Sequence, residues 1–297
     1  MNKFLLLVLC YNSAEYIELT LKSIIGNDQT EFDVLIHDDC STDNSREIVQ
    51  NFIGNHTDET SRWTLLHSSQ NVGVNAGITK CIKGVDYEWI KLLAGDDELT
   101  QYALVEYRLA SMSVSSENAI FSSGMVNIDK MSNITGYSNA PSKLLFSNHF
   151  VRHINLYINP LLAPTVMIGR LALLHSLNTT GARNVEDWPI LRYGILNGFD
   201  FIILSGYLVR YRTHDTSLSD NYKKNDKNLR KHNPIKDDVE LLLVENHRLA
   251  PGIFSKIGTF TQLKQLRSTT KFEDMTCRIL KALNPQYLIY RVIALFS

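Results

Sequence analysis

Four short runs of apolar residues, each followed by a cluster of Asn, Asp, Ser or Gly, govern what this chain can fold into. KFLLLVLC (3–10) leads into Tyr11-Asn12-Ser13, and FDVLIHDD (32–39) into Cys40-Ser41-Thr42-Asp43. WTLLHSS (63–69) leads into Asn71-Val72-Gly73, and EWIKLLAGDD (88–97) ends in Gly95-Asp96-Asp97. Runs of this kind suit strands covered on both faces, the condition of a parallel sheet. Between them the pattern turns helical. Ile17, Leu21 and Ile24 share one stripe, Ser45 to Ile53 turns Ile48, Val49 and Phe52 inward, and Asn75 to Lys83 makes a short third helix. The β-α-β-α-β-α-β order predicts an α/β fold with a doubly wound, mostly parallel sheet and helices on both faces. Ligands of such sheets bind beyond the carboxyl ends of the strands, where all four polar clusters fall.

The 297 residues are long enough for one large domain or a domain with an appendage, and a formal charge of -1 gives no electrostatic case for nucleic acid. Cys10, Cys40, Cys81 and Cys277 lack metal-ligand spacing and any pairing pattern, so a reducing compartment is expected. Lys3 followed by FLLLVLC has the look of a short signal peptide, but the apolar run stops at Tyr11-Asn12 and reads as a first strand. No stretch approaches the roughly 20 apolar residues of a membrane span.

Further along, AIFSSGMVNID (119–129) reads as another strand, SNITGYSNAPS (132–142) as a polar loop, and NPLLAPTVMIG (159–169) as edge strands and loops. Residues 184–204 read as a capped helix then a strand, and LVRYRTHDTSLS (208–219) as a separate short strand opening into a loop. From about 221 the chain becomes a helical C-terminal tail. It starts with a basic run holding Lys223, Lys224, Lys227, Arg230 and Lys231, and ends on an apolar stripe with Tyr287, Tyr290, Ile293, Leu295 and Phe296. Such a pairing fits a helix held at an anionic bilayer surface. It fits equally a helix packed on the main domain with a solvated basic face.

Turn chemistry needs one carboxylate, so the adjacent pairs Asp38-Asp39 and Asp96-Asp97 ask for another account. In order and spacing, CYNSAEYIELTLKSI, DVLIHDDCSTDNS, NVGVNAGI, EWIKLLAGDDEL, NVEDWPIL and YRTHDTSLS resemble the family 2 inverting glycosyltransferases of the GT-A fold over about residues 3–220. The resemblance implies a glycosyltransferase domain at 1–220, with a nucleotide-binding half to about 113 and an acceptor half over 114–220, and a helical extension at 221–297. It implies a nucleotide-diphosphate sugar donor, UDP-sugar favoured, and a glycan acceptor, lipid-linked, at the cytoplasmic face of the plasma membrane in bacterial surface polysaccharide synthesis. Donor contacts are expected from Tyr11, Asn12, Glu15, Asp38, Asp39, Asn71, Gly73 and Asp96.

A diphosphate leaving group without a P-loop or basic cradle calls for a divalent metal on carboxylates. Asp96 and Asp97 suit that, and the resemblance adds His214 as a third ligand for Mn or Mg. It also implies that the Glu186-Asp187 pair opens a helix, with Asp187 as the general base for the acceptor hydroxyl. The chain departs from the family pattern at Ala94, where another Asp is usual, at Cys40 in place of Gly, and at Ile78, near the usual place of an Arg. Cys40 is expected to force a negative φ and alter its turn. Two other classes compete: a sugar-phosphate nucleotidyltransferase, which should carry a Gly-rich basic loop after the first strand, and a noncatalytic saccharide-binding subunit, which would not need Asp96, Asp97 and Asp187 together.

Overall fold

The computed structural model describes residues 4–29, 31–114, 117–146, 153–156, 158–215, 217 and 234–249, with short pieces between 256 and 293. Strands β1 (Phe4–Cys10), β2 (Phe32–Asp38), β3 (Trp63–His67) and β4 (Trp89–Ala94) alternate with helices α1 (Ile17–Ile25), α2 (Ser45–Asn55) and α3 (Val74–Ile82). There follow β5 (Glu98–Leu99), α4 (Ala103–Ser111), β6 (Ala119–Ile128), β7 (Ile134–Ser138), β8 (Met167–Gly169), α5 (Arg170–Asn178), α6 (Asp187–Leu196), β9 (Asp200–Arg212) and α7 (Pro234–Leu249).

The strands join in one sheet of order β3-β2-β1-β4-β8-β6-β9-β5, with β7 also on β6. Pairs among β1 to β4 are parallel, β8 is antiparallel to both β4 and β6, and β9 is parallel to β6. The expected mostly parallel sheet is present, and a short reversed strand joins its two halves.

Alternation along β1 shows why the apolar runs are continuous. Leu5 and Leu7 point into one core with residues of α3, α5, α6 and α7, while Leu6 and Val8 point into a second with residues of α1, α2 and α4. Both faces are buried, so no polar register survives in the sequence. One exception is Lys91 in β4, which is fully buried and donates to the carbonyls of Leu92 and Pro164. Its burial pushes the ammonium down to about 7, partly opposed by the charge of Asp97.

Three expectations beyond residue 114 are corrected. The stretch 159–169 supplies no edge strand, since β8 is paired on both sides by β4 and β6. The polar stretch 132–142 contains β7, and residues 200–212 form one continuous strand in place of two. Gly206 at φ 88° and the register shifts of β6 against β9 around Gly124 let β9 continue past the break that the sequence suggests.

The tail shares the core of the main domain. Leu242 and Leu243 of α7 are buried in the same cluster as Leu5, and Tyr290 and Ile293 pack against that cluster. The basic run 221–232, Leu295 and Phe296 lie outside the described residues. Among the described residues no helix is long and apolar enough to cross a membrane.

Candidate active site

The loops after β1 and β2 are joined by side chains acting on backbone. Asn12 N donates to Ser41 Oγ at 2.9 Å, Thr42 N to Asn12 Oδ1 at 2.8 Å, Ser13 N to Ser45 Oγ at 2.8 Å and Ala14 N to Asp43 Oδ2 at 3.0 Å. Tyr11, Asn12 and Glu15 stand exposed on the rim so formed. Asp38 is fully buried and Asp38 Oδ2 lies 2.8 Å from His67 Nδ1, an interaction inside the sheet. Asp39 accepts the amides of Val72 and Gly73, the latter at 2.9 Å, and so fastens the third polar loop, with exposed Asn71, to the second. Cys40 overturns its expectation: it adopts φ 64°, keeping the left-handed turn that a glycine would make.

The metal candidates divide. Asp96 Oδ2 and His214 Nε2 approach to 2.9 Å although 118 residues separate them, because β4 and β9 end at the same rim. Asp97 is buried, and its Oδ1 accepts the amide of Arg212 at 2.9 Å. Burial, with the Asp96 charge beside it, pushes the Asp97 carboxyl well up. Among the described residues no group of three or more His, Cys, Asp or Glu is gathered for an ion. A carboxylate and an imidazole are what the geometry offers, and that donor set fits a borderline divalent cation.

Arg212 organises this corner, and the sequence reading did not single it out. The fully buried guanidinium pairs with Glu98, donates to the Asp96 carbonyl at 2.9 Å and to the Asp129 carbonyl at 3.0 Å, and lies 4.9 Å from the Tyr16 ring centroid. The Tyr16 ring in turn packs against the His214 imidazole with centroids 4.8 Å apart. A buried charge with this many partners is compensated, and removal of one partner would leave it stranded. Its one sequence signal is a run of arginines, Arg210 and Arg212, inside an otherwise apolar strand.

Glu186 and Asp187 open α6 as expected. Asp187 Oδ1 accepts the amide of Trp188 at 2.8 Å, and Oδ2 accepts Asn159 Nδ2 at 2.7 Å. Burial raises both carboxyls above their ordinary range; the Asp187 charge raises Glu186 further, while hydrogen bonds from Trp188 and Asn159 hold Asp187 lower. Environments that push two neighbouring acids apart assign the proton to one and the charge to the other. Here burial raises both carboxyls, and only Asp187 has hydrogen bonds from Asn159 and the Trp188 amide that oppose the rise. Asn159 is a second residue that sequence reasoning missed, since its partner lies 28 positions away.

The family model described as "Glycosyl transferase family 2" matches residues 6–171. The chain belongs to this family. The family assignment replaces the nucleotidyltransferase alternative. TuaG of Bacillus subtilis (strain 168), whose name assigns it to teichuronic acid biosynthesis, is 26% identical over 213 residues, covering 71% of this chain and 79% of that protein. A teichoic acid poly(glycerol phosphate) polymerase of Staphylococcus epidermidis is 32% identical over 107 residues, covering 36% of this chain and 14% of the polymerase. Among solved structures, S. aureus TarS 1–349 in complex with UDP-GlcNAc superposes with a TM-score of 0.57 at 17% identity, covering 98% of this chain and 88% of that one. The mannosyltransferase PcManGT from Pyrobaculum calidifontis, in complex with GDP-Man and Mn2+, gives 0.58 at 14% identity, covering 99% and 80%. At these identities the structures establish a shared GT-A fold, and the family match establishes a glycosyltransferase.

Proposed function

We propose that this glycosyltransferase moves a sugar, with inversion, from a UDP-sugar to a hydroxyl of a cell-surface glycan acceptor. The observation that carries the reading is a pair of carboxylate centres: Asp96 against His214 at 2.9 Å, and Asp187 at the start of α6, held by Asn159 at 2.7 Å and the Trp188 amide at 2.8 Å. TarS and PcManGT, which share the fold, have solved structures in complex with nucleotide sugars, and TuaG is named for teichuronic acid biosynthesis. Tyr11, Asn12, Glu15 and Asn71 are exposed where the nucleoside would lie, and Asp39 and Gly73 shape the loop beneath it.

Asp187 takes the proton from the acceptor hydroxyl as that oxygen attacks the anomeric carbon. The new carbon–oxygen bond forms on the face opposite the diphosphate, whose bond to the anomeric carbon breaks, and the nucleoside diphosphate leaves. Asn159 and the Trp188 amide hold the Asp187 carboxylate in one orientation. Asp96 and His214 would hold Mn or Mg, which when bound neutralises the charge that develops on the diphosphate. Arg212 keeps Asp96 and His214 in register. For a lipid-linked acceptor, the exposed tail residues Leu288 and Arg291 are the ones left to meet a bilayer, because Tyr290 and Ile293 pack on the core.

Incubation with a panel of nucleotide sugars and Mn, scored for slow donor hydrolysis and nucleoside diphosphate release, tests the reading. Release with at least one UDP-sugar is expected. No release with any donor would leave the saccharide-binding alternative.

A further inference from the structure

The tail helix α7 holds three pieces of chain around Asp187. Before it, the buried Asp238 accepts the amides of Arg183 at 3.0 Å and Asn184 at 2.6 Å through the same oxygen. After it, Arg192 of α6 pairs with Glu245 of α7. Beside it, the buried Asn246 donates to the Leu156 carbonyl at 2.6 Å, three residues before Asn159, the hydrogen-bond partner of Asp187. The sequence reading gave α7 no part in the chemistry.

From the other side the same segment is gripped by the nucleotide-binding half. Buried Asn75 at the start of α3 donates its Nδ2 to the carbonyls of Ala182 at 2.7 Å and Val185 at 3.1 Å, and its amide to that of Arg183 at 3.0 Å. Two residues earlier, Gly73 at φ 86° brings the loop so close that a Cβ would lie 3.2 Å from the Arg183 carbonyl oxygen. Asp39 in turn holds Gly73. A continuous set of hydrogen bonds therefore runs from the donor rim through Asp39, the loop at 72–75 and residues 182–185 to Asp238.

We propose that Asp238 and Asn75 are positioning residues for Asp187: together they clamp residues 182–185 and so set where α6 begins and where its first carboxylate stands. The extension at 221–297 is then a working part of the acceptor site through α7. The inference rests on the reading of Asp187 as the base. A carboxylate that has to meet one hydroxyl proton is sensitive to small displacements, since an error of about 1 Å lowers rate by about 100-fold. Donor affinity draws mainly on exposed Tyr11, Asn12 and Glu15 of the loop after β1, which the clamp does not touch, and should feel its loss far less.

The test compares Asp238→Ala, Asp238→Asn and Asn75→Ala in the full chain, by transfer kcat, UDP affinity and the acid limb of the kcat–pH profile. Asp238→Ala is expected to lower kcat by about 10-fold or more, keep UDP affinity within about two-fold, and move the acid limb down as water reaches a loosened Asp187. Asp238→Asn retains an acceptor oxygen for the two amides and should recover most of kcat. Wild-type kcat and limb in Asp238→Ala, or loss of UDP affinity in step with kcat, would overturn the proposal. If Asp238→Ala does not fold, Asn75→Ala carries the same expectations and the same contrary results. Asp187→Asn is measured in parallel: full turnover there removes the base assignment itself, whereas an inactive Asp187→Asn beside an unchanged Asp238→Ala removes the clamp alone.

Discussion

Asp187 and Glu186 are neighbours in sequence, and only Asp187 is held by Asn159 and the Trp188 amide. As the proposed base, Asp187 has to be ionised to accept a proton, and its folded-state pKa is raised by burial. Activity is then present above that raised value and lost as pH falls through it, so the acid limb of kcat should lie above the ordinary carboxylate value of about 4. A limb at the ordinary value would contradict the burial of the base. Asp187→Asn should cut turnover by about 100-fold or more with UDP affinity unchanged, and a fully active variant would move the role elsewhere. Cys40 makes a different kind of prediction. A side chain at φ 64° costs about 1–2 kcal/mol, against about 0.5–1 kcal/mol of extra chain entropy that glycine loses on folding. Cys40→Gly should therefore stabilise by about 0.5–1 kcal/mol in urea unfolding, and a less stable variant would show the turn to be unstrained. At this scale the sequence offered Asp96, Asp187 and His214 as candidates, because each sits in a local motif. It concealed Asn159, Arg212 and Asp238, because each is defined by a partner or a backbone amide 28 to 116 positions away.

The elements divide along the same line. β1 to β4 and their helices are legible because burial on both faces leaves uninterrupted apolar runs. β7 is hidden because exposed Ile134 and Tyr137 sit among polar residues, and the strand exists through pairing with β6. β9 reads as two strands because exposed Ser205, Gly206 and Tyr207 break its pattern, and only the shifted pairing with β6 carries the backbone across. Lys91 sets a prediction for β4. Its folded-state pKa is lowered to about 7 from 10.5, so as pH falls through that window the unfolded chain binds the proton first and the folded state loses stability. Lys91→Met should flatten this dependence and stabilise the protein at pH 7 by about 1–4 kcal/mol, the range seen when buried ionic groups become apolar. Chemical denaturation at pH 7 and pH 10 checks it, and an unchanged difference between the two would show that Lys91 does not titrate in that window.

Across the whole molecule, the proposed function draws on two separate groups of residues. The ends of β4 and β9 bring Asp96 and His214 together, and α6, braced by α7, carries Asp187. The GT-A fold was readable from the order of apolar runs and polar clusters, but the part of α7 was not, because an amphipathic helix past the last motif shows nothing of what it packs against. In the proposed function Asp96 and His214 would hold a divalent metal that supports donor binding. Calorimetric titration of the full chain with UDP, once with Mn and once with excess chelator, tests it most directly. The account predicts binding with Mn, a loss of about 10-fold or more in affinity under chelator, and the same loss in Asp96→Asn with Mn present. Equal UDP affinity with Mn and with chelator would contradict it.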